Sequence, residues 1–220
     1  DGMACHESLW NGIAEMGWLG TAIPEEYGGL GLGMLELCVL AEEIGRALAP
    51  VPFSSTVYML AEALKLGGSE AQKQALLPEI AAGKVIGAYA SSEGPGAPDL
   101  SALKTTFDGS KLNGTKIPVL DGDIATHALV TAAENSGVSL VLVDLNQAGV
   151  KRTVVKTLDP TRSHAELEFT DVAGERIGEA GQAGPLIDKL MDRAAVLIAF
   201  EQTGGADRAV EMATDYAKSR

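Results

Sequence analysis

The sequence predicts an α+β protein of several units: an N-terminal helical domain, a middle antiparallel β domain and the start of a C-terminal helical domain. Three observations predict it. Apolar residues recur at helical spacing up to about residue 84, the period falls to two from Val85 onward, and one long helical pattern starts at Pro185. The boundaries that follow are 1–84, 85–177 and 178–220.

The first unit reads as four helices. Leu9, Trp10, Ile13 and Met16 follow helical spacing, and Gly17 and Gly20 close that helix. The Pro24 to Gly31 run forces tight turns. A second helix runs from Met34 to Leu48, with Leu37, Leu40, Ala41, Ile44 and Leu48 on its buried face and Pro50 and Pro52 beyond it. Ser54 or Ser55 N-caps a third helix that ends at Gly67-Gly68. Ser69 and Gln72 form a capping box for the fourth, Leu76, Leu77 and Ile80 are its apolar side, and Pro78 kinks it before Gly83.

The second unit reads as short strands. Thr105–Phe107 and Lys111-Leu112 flank the hairpin turn Asp108-Gly109-Ser110, and Asn113-Gly114 reads as another turn. Residues 128–131 and 139–143 are apolar enough for central strands; Ser136-Gly137 and Ala148-Gly149 supply turns; 150–156 and 165–169 complete the set. After a Gly-rich linker from Gly178 to Gly184, the long helix carries Leu186, Ile187, Leu190, Ala194, Leu197 and Ile198 at helical spacing. Gly204-Gly205 inside it disfavours the helix by about 1 kcal/mol per glycine, so close helix contact or a kink is expected there.

The net charge of −13 argues against general binding to nucleic acid or anionic membranes, which need a basic face. No apolar run is long enough to span a membrane, so no membrane insertion is expected. Two cysteines, Cys5 and Cys38, and three scattered histidines form neither a disulfide framework nor a metal-ligand spacing, so no metal is expected and a reducing, intracellular setting fits. The chain begins and ends inside helical patterns and reads as part of a larger protein. Glu25-Glu26 and Glu42-Glu43 read as solvated pairs.

Four segments in this order resemble the acyl-CoA dehydrogenase family: Pro24-Glu25-Glu26-Tyr27-Gly28-Gly29-Leu30-Gly31, Leu76-Leu77-Pro78-Glu79-Ile80-Ala81-Ala82-Gly83, Leu112-Asn113-Gly114-Thr115-Lys116, and Ala213-Thr214-Asp215-Tyr216-Ala217-Lys218-Ser219-Arg220. The resemblance covers nearly the whole chain. It implies FAD between the β domain and the C-terminal helices, an acyl-CoA on the flavin's other face, and α,β-dehydrogenation of the thioester. Electrons then pass to an electron-transfer flavoprotein. It also implies a tetramer, homo- or heteromeric, in the cytoplasm or, in a eukaryote, the mitochondrial matrix. The catalytic Glu base is expected beyond Arg220, so none of the carboxylates in this chain is its candidate.

The family's first site loop corresponds to Tyr89-Ala90-Ser91-Ser92-Glu93-Gly94-Pro95-Gly96-Ala97-Pro98-Asp99, and its second to Pro118-Val119-Leu120-Asp121-Gly122. By that correspondence Tyr89, Ser91, Ser92, Val119 and Leu120 lie at the flavin, and Pro98 and Asp99 at the acyl-CoA. Ser92 supplies the hydroxyl of the family's Thr. Pro98 stands where the family has Ser and donates nothing, and Leu120 stands where it has Thr and offers no hydroxyl. A backbone N–H of Val119-Leu120-Asp121 is then expected to hold the flavin. These departures raise an alternative: a non-catalytic or half-site partner subunit of a heteromeric dehydrogenase. In Leu158-Asp159-Pro160-Thr161-Arg162, Arg162 is expected to pair with Asp159 or a backbone carbonyl.

Overall fold

The computed structural model describes residues 5–135, 137–159 and 161–220. Helix α1 (Glu7–Glu15) starts where the His6 ring accepts the Leu9 N–H, and it buries Trp10 and Ile13. Trp10 Nε1 donates to the Gly83 carbonyl at 2.8 Å, fastening α1 to the far end of the helical layer. Helix α2 (Met34–Arg46) buries Leu37, Cys38, Ala41 and Ile44; Leu37, Ala41 and Ile44 lie on the face the periodicity predicts, but the helix stops short of Leu48, which sits at φ 46° and is exposed.

The third helix differs from its sequence reading. Residues Ser54–Ala61 form a π-helix that continues into α3 (Glu62–Gly67). Neither serine caps it; the N-cap is Phe53, with no side-chain bond. The serine hydroxyls have distant partners instead: Ser55 Oγ lies 2.5 Å from Asp121 Oδ2, and Arg162 donates to Ser54. Val57, Leu60, Ala61, Ala63 and Leu64 are all buried, and so are the polar Ser55, Thr56 and Glu62, so this helix runs through the interior.

Helix α4 (Glu70–Ala81) carries the expected capping box. Ser69 Oγ accepts the Gln72 N–H at 3.2 Å, and Gln72 Oε1 accepts the Ser69 N–H at 2.9 Å. Pro78 falls in the last turn, and the helix continues through it to Ala81.

Strands β1 (Gly87–Ala90), β2 (Thr106–Phe107), β3 (Lys111–Leu120), β4 (His127–Glu134), β5 (Gly137–Asp144), β6 (Val150–Val154), β7 (His164–Ala173) and β8 (Glu175–Ile177) form one sheet. The order is β6-β7-β3-β2-β4-β5-β8, with β1 beside β4. Most pairs are antiparallel, as expected, but β1 and β2 run parallel to β4. The Asp108 hairpin forms as predicted, with Phe107 opposite Leu112. Asn113-Gly114 is not a turn: both lie inside β3, with Gly114 paired to Phe169, and the register shift between Leu112 and Gly114 puts the extra residue on β7, at Thr170-Asp171, where Asp171 has φ 52°. Ser136, half of another expected turn, lies outside the described residues.

One face of the sheet packs inward around Phe107, Leu112, Val119, Val130 and Leu167. On the other face, Leu129, Leu140, Leu142 and Ile177 share a core with the helices. Helix α5 (Gly184–Lys218) closes that core with Ile187, Leu190, Ala194 and Leu197 and crosses α2. At the crossing, a Cβ on Gly204 would lie 1.9 Å from the Glu42 carbonyl oxygen, and one on Gly45 the same distance from that of Glu201. The two backbones touch there. Among the described residues no helix is long and apolar enough to cross a membrane.

Candidate functional site

A cavity of about 410 Å³ opens where the π-helix, the end of β3 and α5 meet. The π-helix supplies Ser54, Ser55, Tyr58 and Met59, a face set by its wide turn. The sheet supplies Tyr89 and Leu120. Helix α5 supplies Met191, Ala194, Ala195, Ile198, Ala199 and Gln202, one stripe at helical spacing whose three alanines leave the space open. The walls are mainly apolar, with a few convergent polar groups, the usual build of a small-molecule site.

Behind the cavity lies a buried polar cluster. Asp121 is 1% exposed and sits at φ 57°, a conformation that aspartate tolerates better than most residues. Its carboxylate accepts from Ser55 Oγ at 2.5 Å, from Arg162 Nε at 3.2 Å, and from Arg162 Nη2. Both terminal nitrogens of Arg162 also donate to Ser54 Oγ, each at 3.2 Å. Arg162 therefore does not pair with Asp159, as its sequence neighbourhood implied. Asp159 is turned onto its own loop, where Oδ1 accepts from the Thr161 N–H at 2.8 Å and from its hydroxyl at 2.6 Å. Tyr58 Oη donates to Glu201 Oε1 at 2.8 Å, and burial raises the Glu201 pKa above the ordinary carboxylate value.

The ladder between β3 and β7 determines which backbone donors are free. The Asp121 N–H donates to the Ser163 carbonyl at 2.9 Å, so of the expected Val119-Leu120-Asp121 donors this one is not available to a ligand. Leu120 faces His164 across the ladder, and the His164 carbonyl accepts from Val155 on the other side. Alternation along an antiparallel pair then turns the Leu120 N–H away from β7, toward the loop that follows β1. Ser92 is on that loop. Its carbonyl accepts the Ile117 N–H at 2.9 Å, while its hydroxyl has no partner among the described residues.

The loop is held from below by Lys116, whose side chain is 0% exposed. Its ammonium donates to Glu93 Oε1 at 2.8 Å, Thr131 Oγ1 at 3.2 Å and the Ser91 carbonyl at 3.3 Å. Glu93 also accepts the N–H groups of Lys104 and Thr105. Burial by itself would raise the Glu93 pKa, but Lys116 and the two backbone donors outweigh it and hold the carboxyl at about 2.

Of the residues singled out in the sequence, the structure brings Tyr89 and Leu120 to the cavity. Burial pushes the Tyr89 phenol up to about 12, so it stays neutral. Ser91, Pro98 and Asp99 line a second depression of about 220 Å³, where Asp99 is occupied by the Ser101 N–H and hydroxyl. The Val119 side chain is buried in the sheet's own core. Sequence reasoning missed Ser54, Ser55, Tyr58 and Glu201 as site residues. The available signal was a Ser-Ser-x-x-Tyr set inside an otherwise apolar helix.

A protein-family model described as "Acyl-CoA dehydrogenase, N-terminal domain" matches residues 1–84. The short-chain specific acyl-CoA dehydrogenase, mitochondrial, of Homo sapiens is 32% identical over 94% of this chain and 55% of that protein. Isovaleryl-CoA dehydrogenase, mitochondrial, of Solanum tuberosum is 29% identical over 97% of this chain and 56% of that protein. The solved structure of an acyl-CoA dehydrogenase complexed with FAD from Bacillus anthracis superposes with a TM-score of 0.88 at 28% identity, covering 97% of this chain and 39% of that one. The chain spans about half the length of the curated relatives it matches.

Proposed function

The chain belongs to the acyl-CoA dehydrogenase family, and on that premise we propose that the whole protein catalyses FAD-dependent α,β-dehydrogenation of an acyl-CoA thioester. The observation that carries this reading is a mainly apolar cavity bounded by Tyr89 and Leu120, two of the positions that the family correspondence puts at the flavin.

The residues present fit a flavin. The Leu120 N–H faces the gap toward the β1 loop, and the Ser92 hydroxyl there has no internal partner. A backbone N–H at Leu120 and a hydroxyl at Ser92 are donors of the kind that the carbonyl and nitrogen acceptors of an isoalloxazine edge would take. When bound, FAD supplies the acceptor for the hydride that leaves the β carbon. The chain's own part is to position and to exclude water. Leu120 N–H and Ser92 Oγ would hold the ring, and the Lys116–Glu93 pair fixes the loop that carries Ser92. Tyr89, Met59, Met191 and Ile198 enclose the acyl group in an apolar wall. The cavity lining offers no carboxylate among the described residues, and Glu201 behind it is engaged by Tyr58. The base for the α proton is therefore assigned to the remainder of the protein.

Electrons would leave through an electron-transfer flavoprotein, and the assembly would be a homo- or heterotetramer. Exposed apolar residues on α5, among them Val196, Phe200, Val210 and Met212, favour cover by further helices or subunits. The apolar side chains of Pro98 and Leu120, where the family pattern has a Ser and a Thr, favour a second reading: a partner subunit that does not itself turn over substrate.

Ser92→Val in the full-length protein tests the flavin assignment. Losing one hydrogen bond, about 0.5–1.5 kcal/mol, weakens FAD binding roughly two- to tenfold, read as flavin absorbance per protomer after gel filtration. Unchanged flavin retention removes Ser92 from the site. Colour separates the two readings of function. A protein that is yellow when purified alone supports the dehydrogenase, and one that is yellow only with a co-expressed second subunit supports the partner role.

A further inference from the structure

The polar wall of the cavity has a directionality that the dehydrogenase reading does not use. Ser54 and Tyr58 both face the cavity from the π-helix, four residues apart. A serine hydroxyl has one proton to donate and two lone pairs to accept with. Both terminal nitrogens of Arg162 donate to Ser54 Oγ, each at 3.2 Å, which occupies the lone pairs. Arg162 is itself fixed by Asp121, so it cannot swing away from the serine without breaking a buried ion pair. What Ser54 has left for the cavity is its proton.

Tyr58 is the converse. Its proton goes to Glu201 Oε1 at 2.8 Å, and its ring is held edge-on by Phe53 with centroids 5.7 Å apart. What Tyr58 has left for the cavity is an oxygen lone pair. The wall thus presents one fixed donor and one fixed acceptor on a single helical face. The rest of that wall is mainly Met59, Leu120, Met191, Ile198 and alanines; Ser55 is turned onto Asp121, and Tyr89 and Gln202 are its other polar side chains.

We propose that this pair of residues is a subsite for a hydroxyl group, so that the preferred substrate is an acyl-CoA whose acyl group bears an alcohol. An alcohol accepts from Ser54 and donates to Tyr58 at once. A ketone can accept from Ser54 but sets its oxygen against that of Tyr58. An unsubstituted hydrocarbon leaves the Ser54 proton and the Tyr58 lone pair unpaired in a mainly apolar space, and such a site disfavours the analogue that lacks the polar group. The π-helix is what places the two residues together; such turns are rare and cluster at functional sites.

The proposal rests on the dehydrogenase reading for the identity of the ligand as an acyl-CoA, and the test keeps the two apart. The full-length, flavin-loaded protein is titrated calorimetrically with three CoA thioesters of one carbon skeleton: unsubstituted, hydroxylated and oxidised to the ketone. The hydroxylated ester binds at least about tenfold more tightly than the unsubstituted one, with the ketone between them. In Ser54→Ala and in Tyr58→Phe the difference in affinity between the hydroxylated and the unsubstituted ester falls to within about twofold. Equal affinities across the three esters in the unaltered protein overturn the subsite; that is also the result if a resident water satisfies both groups. A preference for the hydroxylated ester that survives in both variants overturns the assignment to Ser54 and Tyr58. Failure of all three esters to bind overturns the dehydrogenase reading itself. The ester comparison in the unaltered protein decides the matter even where a variant folds poorly.

Discussion

Gly204→Ala is expected to lower thermal stability sharply, while Gly205→Ala, one residue on, is expected to leave it unchanged or slightly raised. A Cβ on Gly204 would lie 1.9 Å from the Glu42 carbonyl oxygen and 2.9 Å from the Arg46 N. These are backbone atoms of α2 and cannot rotate away, so the two helices must separate. Separation also strains the Arg46 pairs with Asp207 and Glu211, both at 2.5 Å, which sit just past the crossing. Overpacking against a rigid neighbour costs about 1–3 kcal/mol and more where nothing can yield, so about 3 kcal/mol is expected. At this chain length that is roughly 6–12 °C in Tm. On Gly205 the nearest atom to a Cβ is the Gly45 carbonyl oxygen at 3.5 Å, an ordinary contact. There alanine can gain up to about 1 kcal/mol of helix propensity. Circular dichroism melts of the two variants side by side check this; equal shifts would mean that α2 and α5 do not cross at backbone contact.

That pair of glycines also marks the limit of what the sequence discloses. Composition assigns both the same propensity penalty and a shared reason, close helix contact. Which one makes the contact depends on where α2 crosses α5, and that register is tertiary. The elements themselves were legible because burial imposes a period: 3.6 on Leu37, Ala41 and Ile44, and two on the strands around Phe107 and Leu112. The Ser69–Gln72 capping box was legible because all its partners lie within four residues. The misreadings share the opposite property. Ser54 and Ser55 have the chemistry of caps, yet their hydroxyls engage Asp121 and Arg162, far along the chain. Arg162 had a local carboxylate at Asp159, but that group satisfies its own turn first. Asn113-Gly114 carries turn residues, yet pairing of β3 with β7 overrides them. The candidate site follows the same rule. Tyr89 and Leu120 were found because each lies in a recognisable loop. The Ser54, Tyr58 and Glu201 wall was not, because it exists only once the π-helix, β3 and α5 are brought together.

Lys116→Met is the second change expected to have a large effect, on stability and on the site loop together. Methionine matches the apolar stem but removes the ammonium that binds Glu93, Thr131 and the Ser91 carbonyl. Glu93, its side chain 14% exposed, is left with only its two backbone donors, from Lys104 and Thr105. Removing one partner of a buried ion pair costs about 3–5 kcal/mol, because the other charge stays behind uncompensated. The pH dependence gives the mechanism a signature. In the unaltered protein the folded Glu93 carboxyl lies at about 2, below its ordinary value of 4.5. A depressed carboxylate contributes stability that is present above the unfolded value and is lost as pH falls through that window. Without Lys116 the folded value rises, so the variant has less of this contribution to lose. The stability gap between the two proteins should therefore be widest near neutrality and narrow as pH falls from about 4.5 toward 2. Urea unfolding at a series of pH values measures it. A gap that stays constant with pH would mean that Lys116 matters through packing alone. Adding Glu93→Gln to Lys116→Met removes the stranded charge and should restore part of the lost stability at neutral pH. Flavin retention should fall in Lys116→Met as well, because the loop that carries Ser91 and Ser92 loses one of its anchors on β3 and keeps the Ile117 N–H to Ser92 carbonyl bond.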